Sequence, residues 1–380
     1  MSRTATNKLQ SSLFELASDA RLIHFLFKMP KVDLHRHLTG SIDAETAVRV
    51  GAKYDVPLPT YIARELDEML FGEQQVRGHG EYFRPWETLN KLFVNKEATR
   101  DLILAAAARA AEDNVIYTEM RTGPRGFLGY TDFKFDEFLD ATAASTAEAE
   151  AEYGIVIRWL LGIPRDVFGP IEAGTRNRMC ASMVSKISAL YPRCFVGLDL
   201  NGDECAASPE LFESCFDFAH SQGLPITIHA GETGPAANVG FAVRRLHASR
   251  IGHGIASASD PSLLAELASR NCALEICPTS NKLLGLVSDA SDLPLGTVQQ
   301  SGVPFAICSD NPARCRTSLT EELYSIAKSF CLTTKELRDL TYRALDHAFT
   351  DEGTKLSLRE RLAASWGSSR LTDALATVKP

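Results

Sequence analysis

Two histidines one residue apart, His35 and His37 in KVDLHRHLTG, are placed to bind a metal ion. On a β-strand, residues i and i+2 share a face. Both imidazoles then point one way while Val32, Leu34 and Arg36 point the other. Such a pair is at most half of a coordination shell, and equally decorates a solvated strand, so the assignment depends on further donors. The chain offers them in ITIHAGE (His229), RIGHG (His253) and ICSDNP (Asp310, Asn311). His35, His37, His229 and the Asp310 carboxylate form a three-nitrogen, one-oxygen set that suits zinc and leaves room for a water. Zinc held this way lowers the pKa of water to about 7 and yields a hydroxide nucleophile. Glu232, three residues after His229, is close enough to exchange a proton with a substrate, and His253 can orient or deprotonate the water.

These residues need elements that deliver them to one place. Short apolar, β-prone runs recur at 31–35, 115–121, 155–162, 194–200, 225–230, 249–254, 272–278 and 303–310. Between them lie amphipathic helical stretches with readable starts, Ser208 before Pro209 and Asp260 before Pro261. Alternation of strand and helix implies a parallel sheet with right-handed crossovers, and eight repeats favour an α/β (β/α)8 TIM barrel over a doubly wound open sheet. A barrel requires its functional polar residues at the carboxyl ends of strands. His35 and His37, Gly202 and Asp203, His229, His253, and Asp310 with Asn311 all sit there. The stretch 57–94 is too long for a plain loop and reads as a helical lid, with Phe83 and Trp86 as its gating aromatics.

Composition bounds the partners. With 380 residues, 45% hydrophobic and a formal charge of −8, the chain is expected to be soluble and to take a small molecule rather than a nucleic-acid polymer. Nine cysteines lie between Cys180 and Cys331 without a C-x-x-C pair, which points to buried thiols in a reducing, cytoplasmic setting. The longest apolar stretch, LILAAAARAA, is broken by Arg109, so no membrane span is expected. The expected organisation is a helical extension over 1–28, the barrel over 29–366 and a tail over 367–380. Neither H-E-x-x-H, nor a Walker lysine loop, nor G-x-S-x-G, nor the H-x-E with P-C-x-x-C of cytidine-type deaminases is present.

In order and spacing, KVDLHRHLTGS, GLDLNGDE, IHAGE, RIGHG, EICPTSN and CSDNP resemble the adenosine deaminase family of the amidohydrolase superfamily, over about residues 29–365. The resemblance implies a zinc-dependent hydrolytic deaminase, one zinc per subunit, attacking C6 of an aminopurine. It implies His35, His37, His229 and Asp310 as ligands, Glu232 as the acid at purine N1, and His253 as base and orienting group. Gly202 would offer its N–H to N3. Glu232 would need a raised pKa, which burial favours.

Two positions depart from the family pattern. Asn311 stands where many relatives have a second aspartate against N7; an amide donates without holding a proton. Thr39 replaces the acid that contacts the ribose 5′-hydroxyl, and with Ser41 it keeps hydrogen-bonding capacity. Adenosine and 2′-deoxyadenosine are the leading substrates. The alternatives are an adenine nucleotide or N6-substituted AMP, with Arg84, Arg121 and Arg125 as possible phosphate partners, or another 6-aminopurine. A different amidohydrolase reaction or a binding protein without turnover complete the set.

Overall fold

The structure is a computed structural model, and it describes residues 19–73, 75–123 and 133–367. Eight strands are found where apolar runs were expected: β1 Lys31–His37, β2 Val115–Thr122, β3 Val156–Pro164, β4 Phe195–Asn201, β5 Ile226–Ala230, β6 Arg250–His253, β7 Ala273–Ile276 and β8 Phe305–Ile307. They form one sheet in chain order, each paired parallel to the next. The ring closes at a single bridge between Arg36 and Asp310. There the N–H of Asp310 donates to the carbonyl of His35 and the N–H of His37 to that of Asp310, both at 2.7 Å. An open doubly wound sheet leaves its edges far apart, so this seam identifies a barrel.

The outward faces of the strands, such as Leu161, Ile163, Leu198, Leu200 and Ile228, are buried beneath the helices. The interior differs from the aliphatic layers usual in such barrels. Arg121 of β2 reaches Asp199 of β4 and Glu275 of β7, and Arg250 of β6 reaches Glu119 of β2 and Glu275. Two guanidinium groups thus cross-link three carboxylates, all fully buried. An unpaired charge at this depth would cost several kcal/mol.

The lid is more broken than two helices. Helix α1 (Ala63–Phe71) is followed by two single turns, α2 (His79–Tyr82) and α3 (Trp86–Leu89). Pro85 lacks an N–H and separates the turns. Of the expected caps, Asp260 accepts from the N–H groups of Ser262 and Leu263 and starts α5 (Pro261–Ser269). Ser208 makes no such bond, and its segment begins as a 3-10 turn before α4 (Glu213–Ser221). Residues 19–28 are helical, and the chain closes with α6 (Thr334–Asp346) and α7 (Glu352–Trp366). All nine cysteines are free, seven of them buried. Among the described residues no helix is long and apolar enough to cross a membrane.

Candidate active site

The cavity at the carboxyl ends of the strands is roofed by the lid and lined by His37, His229, Glu232, His253, Asp310 and Asn311. The alternation of β1 puts both of its histidines inward: Nε2 of His35 and Nε2 of His37 stand 3.3 Å apart. Asp310 Oδ1 lies 3.4 Å from the first and 3.3 Å from the second. Donors on one zinc at about 2.0–2.1 Å with tetrahedral angles stand roughly 3.3 Å apart, so this spacing fits. His35, His229, His253 and Asp310 each offer a donor atom within 4.8 Å of the others. Asp310 Oδ1 is buried without a hydrogen-bond partner, an acceptor aimed at a cation's place. Asp310 holds this pose at φ 57°, left-handed backbone unusual for a side chain with a Cβ.

The imidazole tautomers follow from what lies behind them. Nδ1 of His35 faces Glu275 at 2.6 Å and Nδ1 of His229 faces Asp199 at 2.9 Å. A carboxylate only accepts, so each Nδ1 carries the hydrogen and each Nε2 presents a lone pair to the cluster. Burial would raise Glu275, yet Arg121 and Arg250 hold it well below the usual carboxylate range. Asp199 is likewise lowered, by His229 and Arg121 against burial.

Glu232 sits in a built loop. Glu204 accepts hydrogen bonds from the N–H groups of Gly231, Glu232, Thr233 and Gly234 and from the Asn238 amide, at 2.8–3.1 Å. The Glu232 carboxylate lies between two imidazoles: His79 Nε2 donates to Oε2 at 3.1 Å and His253 Nε2 stands 3.4 Å from Oε1. Burial pushes the carboxyl up, but His253 and His79 outweigh it and bring it down to about 2. The expected upward shift is therefore reversed by two imidazoles, His253 of β6 and His79 of the lid. Burial lowers His253 to about 4, so it is neutral at pH 7. The Asn281 amide donates to its Nδ1 at 3.2 Å, leaving the hydrogen on Nε2.

The remaining expected contacts separate into three groups. Gly202, Thr39, Phe83 and Trp86 line the cavity, and Thr39 Oγ1 donates to Asn90 Oδ1 at 3.3 Å. Asn311 lines it too, with Nδ2 donating to Tyr82 Oη at 2.9 Å. Ser41 does not serve the cavity: its hydroxyl donates to the carbonyl of His37 and accepts from Arg36. Among the phosphate candidates, Arg84 is exposed and paired with Glu73. Arg121 is locked to Asp199 and Glu275 inside the barrel, and Arg125 lies outside the described residues.

Sequence reasoning missed His79, Tyr82 and Asn90, which come from the lid, and Glu204, Asp199 and Glu275, which hold the site from behind. The last two had a signal: a lone acid inside an apolar strand, GLDL or ALEI, must face a partner.

A family model for adenosine deaminase matches residues 30–365. The chain belongs to the adenosine deaminase family. It is 30% identical over 336 residues to an adenosine deaminase of Enterococcus faecalis, covering 88% of this chain and 96% of that one. It is 31% identical over 351 residues to an aminodeoxyfutalosine deaminase of Streptomyces coelicolor, covering 91% of this chain and 87% of the relative. An amidohydrolase of Burkholderia ambifaria, solved with bound zinc, shares the fold at a TM-score of 0.79 and 24% identity, over 93% of this chain and 94% of its own. As a member of this family, the chain is a hydrolytic aminohydrolase of the kind that deaminates aminopurines.

Proposed function

We propose that this deaminase converts adenosine and 2′-deoxyadenosine to inosine and 2′-deoxyinosine with release of ammonia. The observation that carries the choice of a nucleoside is the neutral end of the cavity. Thr39 and Asn90 offer hydroxyl and amide there, and Arg121, the one Arg or Lys among the described lining residues, is committed to two carboxylates. A 5′-hydroxyl meets matched partners, whereas a phosphate dianion would find each cation among the described lining residues already committed, Arg121 and His79 to two carboxylates apiece.

In this reading His35, His37, His229 and Asp310 hold one zinc, supported by their spacing and by the unpartnered Asp310 oxygen. When bound, zinc supplies water acidified to near neutral pH. Addition of a nucleophile to C6 drives electron density onto N1, and Glu232 delivers a proton there. His253, neutral and carrying its hydrogen on Nε2, orients the attacking oxygen by donating to it. The Gly202 N–H meets N3; with no side chain and φ 82°, the backbone can approach a flat ring closely. One amide hydrogen of Asn311 is held by Tyr82 and the other is free for N7. Phe83 and Trp86 cover the ring from the lid.

Release of ammonia from adenine, adenosine, 2′-deoxyadenosine and AMP, and of methylamine from N6-methyl-AMP, tests the reading. The two nucleosides are expected to exceed the nucleotides by at least about tenfold in kcat/KM. A reversed order would overturn the choice of substrate.

A further inference from the structure

The segment RGHGEYF has no motif of its own, yet it carries a lid residue that reaches two carboxylates at the barrel mouth. Gly78, at φ 79°, turns the chain into α2, and His79 at its start is buried. Its ring stacks on Phe83 at 5.4 Å and 14°. Nδ1 lies 3.0 Å from Asp203 in the loop after β4, and Nε2 lies 3.1 Å from Glu232 in the loop after β5. Both neighbours are carboxylates, which only accept when ionised, so the geometry requires a hydrogen on each ring nitrogen. Burial alone would discharge the ring, but Glu232 and Asp203 together raise it to about 9. The other groups nearby are Arg165, which acts on both carboxylates, His253 on the far oxygen of Glu232, Asp310, which pushes Glu232 up, Glu204, which holds the Glu232 N–H, and Tyr82 on the same turn.

We propose that His79 is a positioning residue that loads Glu232 with the proton destined for the substrate. The inference rests on the reading of Glu232 as the acid at N1. In the step, the Nε2–H bond of His79 breaks and an O–H bond forms on Glu232 Oε2. An imidazolium and a carboxylate become a neutral imidazole and a carboxylic acid, and Nδ1 of His79 keeps its hydrogen, donated to Asp203. The carboxyl group then protonates N1, and His79 regains a proton from solvent. The direction is set by burial: the Asp203 side chain is 35% exposed and solvated, whereas that of Glu232 is 5% exposed. Desolvation by a bound purine favours the neutral pair. The donor of this proton is thus carried by the lid and not by the barrel.

The test uses the full-length, metal-loaded protein and whichever of adenine, adenosine and AMP it turns over best. Rates are measured from pH 5 to 10 for the wild type, His79→Gln, Asp203→Asn and Glu232→Gln. His79→Gln is expected to keep its metal and to lose about 10- to 100-fold in kcat at pH 7. Its fall in kcat/KM on the alkaline side should begin at least one pH unit lower, because Glu232 must then hold the proton alone. Asp203→Asn should move that limb the same way by a smaller amount. In an NMR titration the His79 ring should lose its proton near pH 9 in the wild type and well below that in Glu232→Gln. Profiles that superimpose on the wild type, or a loss equal at every pH, would overturn the proposal. If His79→Gln does not fold, the Asp203→Asn profile and the titration decide. Turnover retained by Glu232→Gln defeats the reading of Glu232 itself, whereas an inactive Glu232→Gln beside an unshifted His79→Gln defeats only the role of His79.

Discussion

Glu275 Oε2 accepts from Nδ1 of His35 at 2.6 Å, within a barrel interior closed to solvent. That bond fixes which nitrogen of His35 faces the cluster and would raise its basicity in the proposed role of zinc ligand. Glu275→Gln keeps the shape and removes the charge, so the variant should bind zinc about 10- to 100-fold more weakly. It should also unfold at a lower temperature, since Arg121 and Arg250 lose a shared counter-ion. Zinc affinity equal to wild type by competition with a chelator would show that the carboxylate does not tune the ligand.

His229 is the one proposed ligand delivered by β5, and Arg165 pins its backbone by donating to the carbonyl at 2.8 Å. His229→Ala removes the imidazole and leaves that anchor. The variant is expected to purify with far less than one zinc per chain by elemental analysis and with turnover lowered at least about 1,000-fold. Full zinc content together with normal turnover would sink the ligand assignment.

A buried carboxyl outside the proposed chemistry gives a pH signature. Glu322 accepts from the Thr279 N–H at 3.0 Å. Burial, reinforced by Asp310 and moderated by Thr279 and Thr317, raises it from 4.5 to about 8. Between those values the folded chain keeps a proton that the unfolded chain releases, so this group's contribution to stability falls as pH rises, by at most about 1.4 kcal/mol per unit. Glu322→Gln removes the slope. Urea unfolding at pH 5 and pH 8 should show the variant gaining on the wild type at the higher pH; parallel behaviour would refute the shift.

Gly40 follows Thr39 in the HLTG motif, and a Cβ placed there would fall 1.9 Å from Oδ1 and 2.6 Å from Cβ of Asn311. The base of the asparagine cannot yield, so Gly40→Ala must move Asn311 away from Tyr82 and from the cavity wall. The expected result is a KM for adenosine raised about tenfold or more with zinc content unchanged. An unaltered KM would separate Asn311 from substrate binding.

The strands were legible because each is a short, mostly apolar run, several of them ending in a polar residue, and the barrel followed from their number and spacing. His229, His253 and Asp310 were readable for the same reason. His79 was not: in a glycine-flanked, aperiodic segment, nothing local distinguishes a histidine that folds back over a cavity from one in solvent. The share of the Glu232 shift that comes from His79 was hidden with it, since burial is visible in a sequence pattern and the approach of an imidazole from the lid is not. Ser41 illustrates the opposite error. A hydroxyl beside the site looked available, but the turn after β1 uses it to satisfy the carbonyl of His37.

The seam between the last and first strands has a consequence for how the molecule is made. Ser309 donates its hydroxyl to Asp33, 276 residues away along the chain, beside the single bridge that shuts the ring. Contacts of such sequence separation form late, because most of the loop entropy is lost before they give any return. A nascent chain therefore presents β1 as a bare edge until nearly all of the barrel has been synthesised, and a bare edge pairs with other chains. Weakening the seam should show itself as insoluble protein during expression rather than as a soluble enzyme of reduced rate.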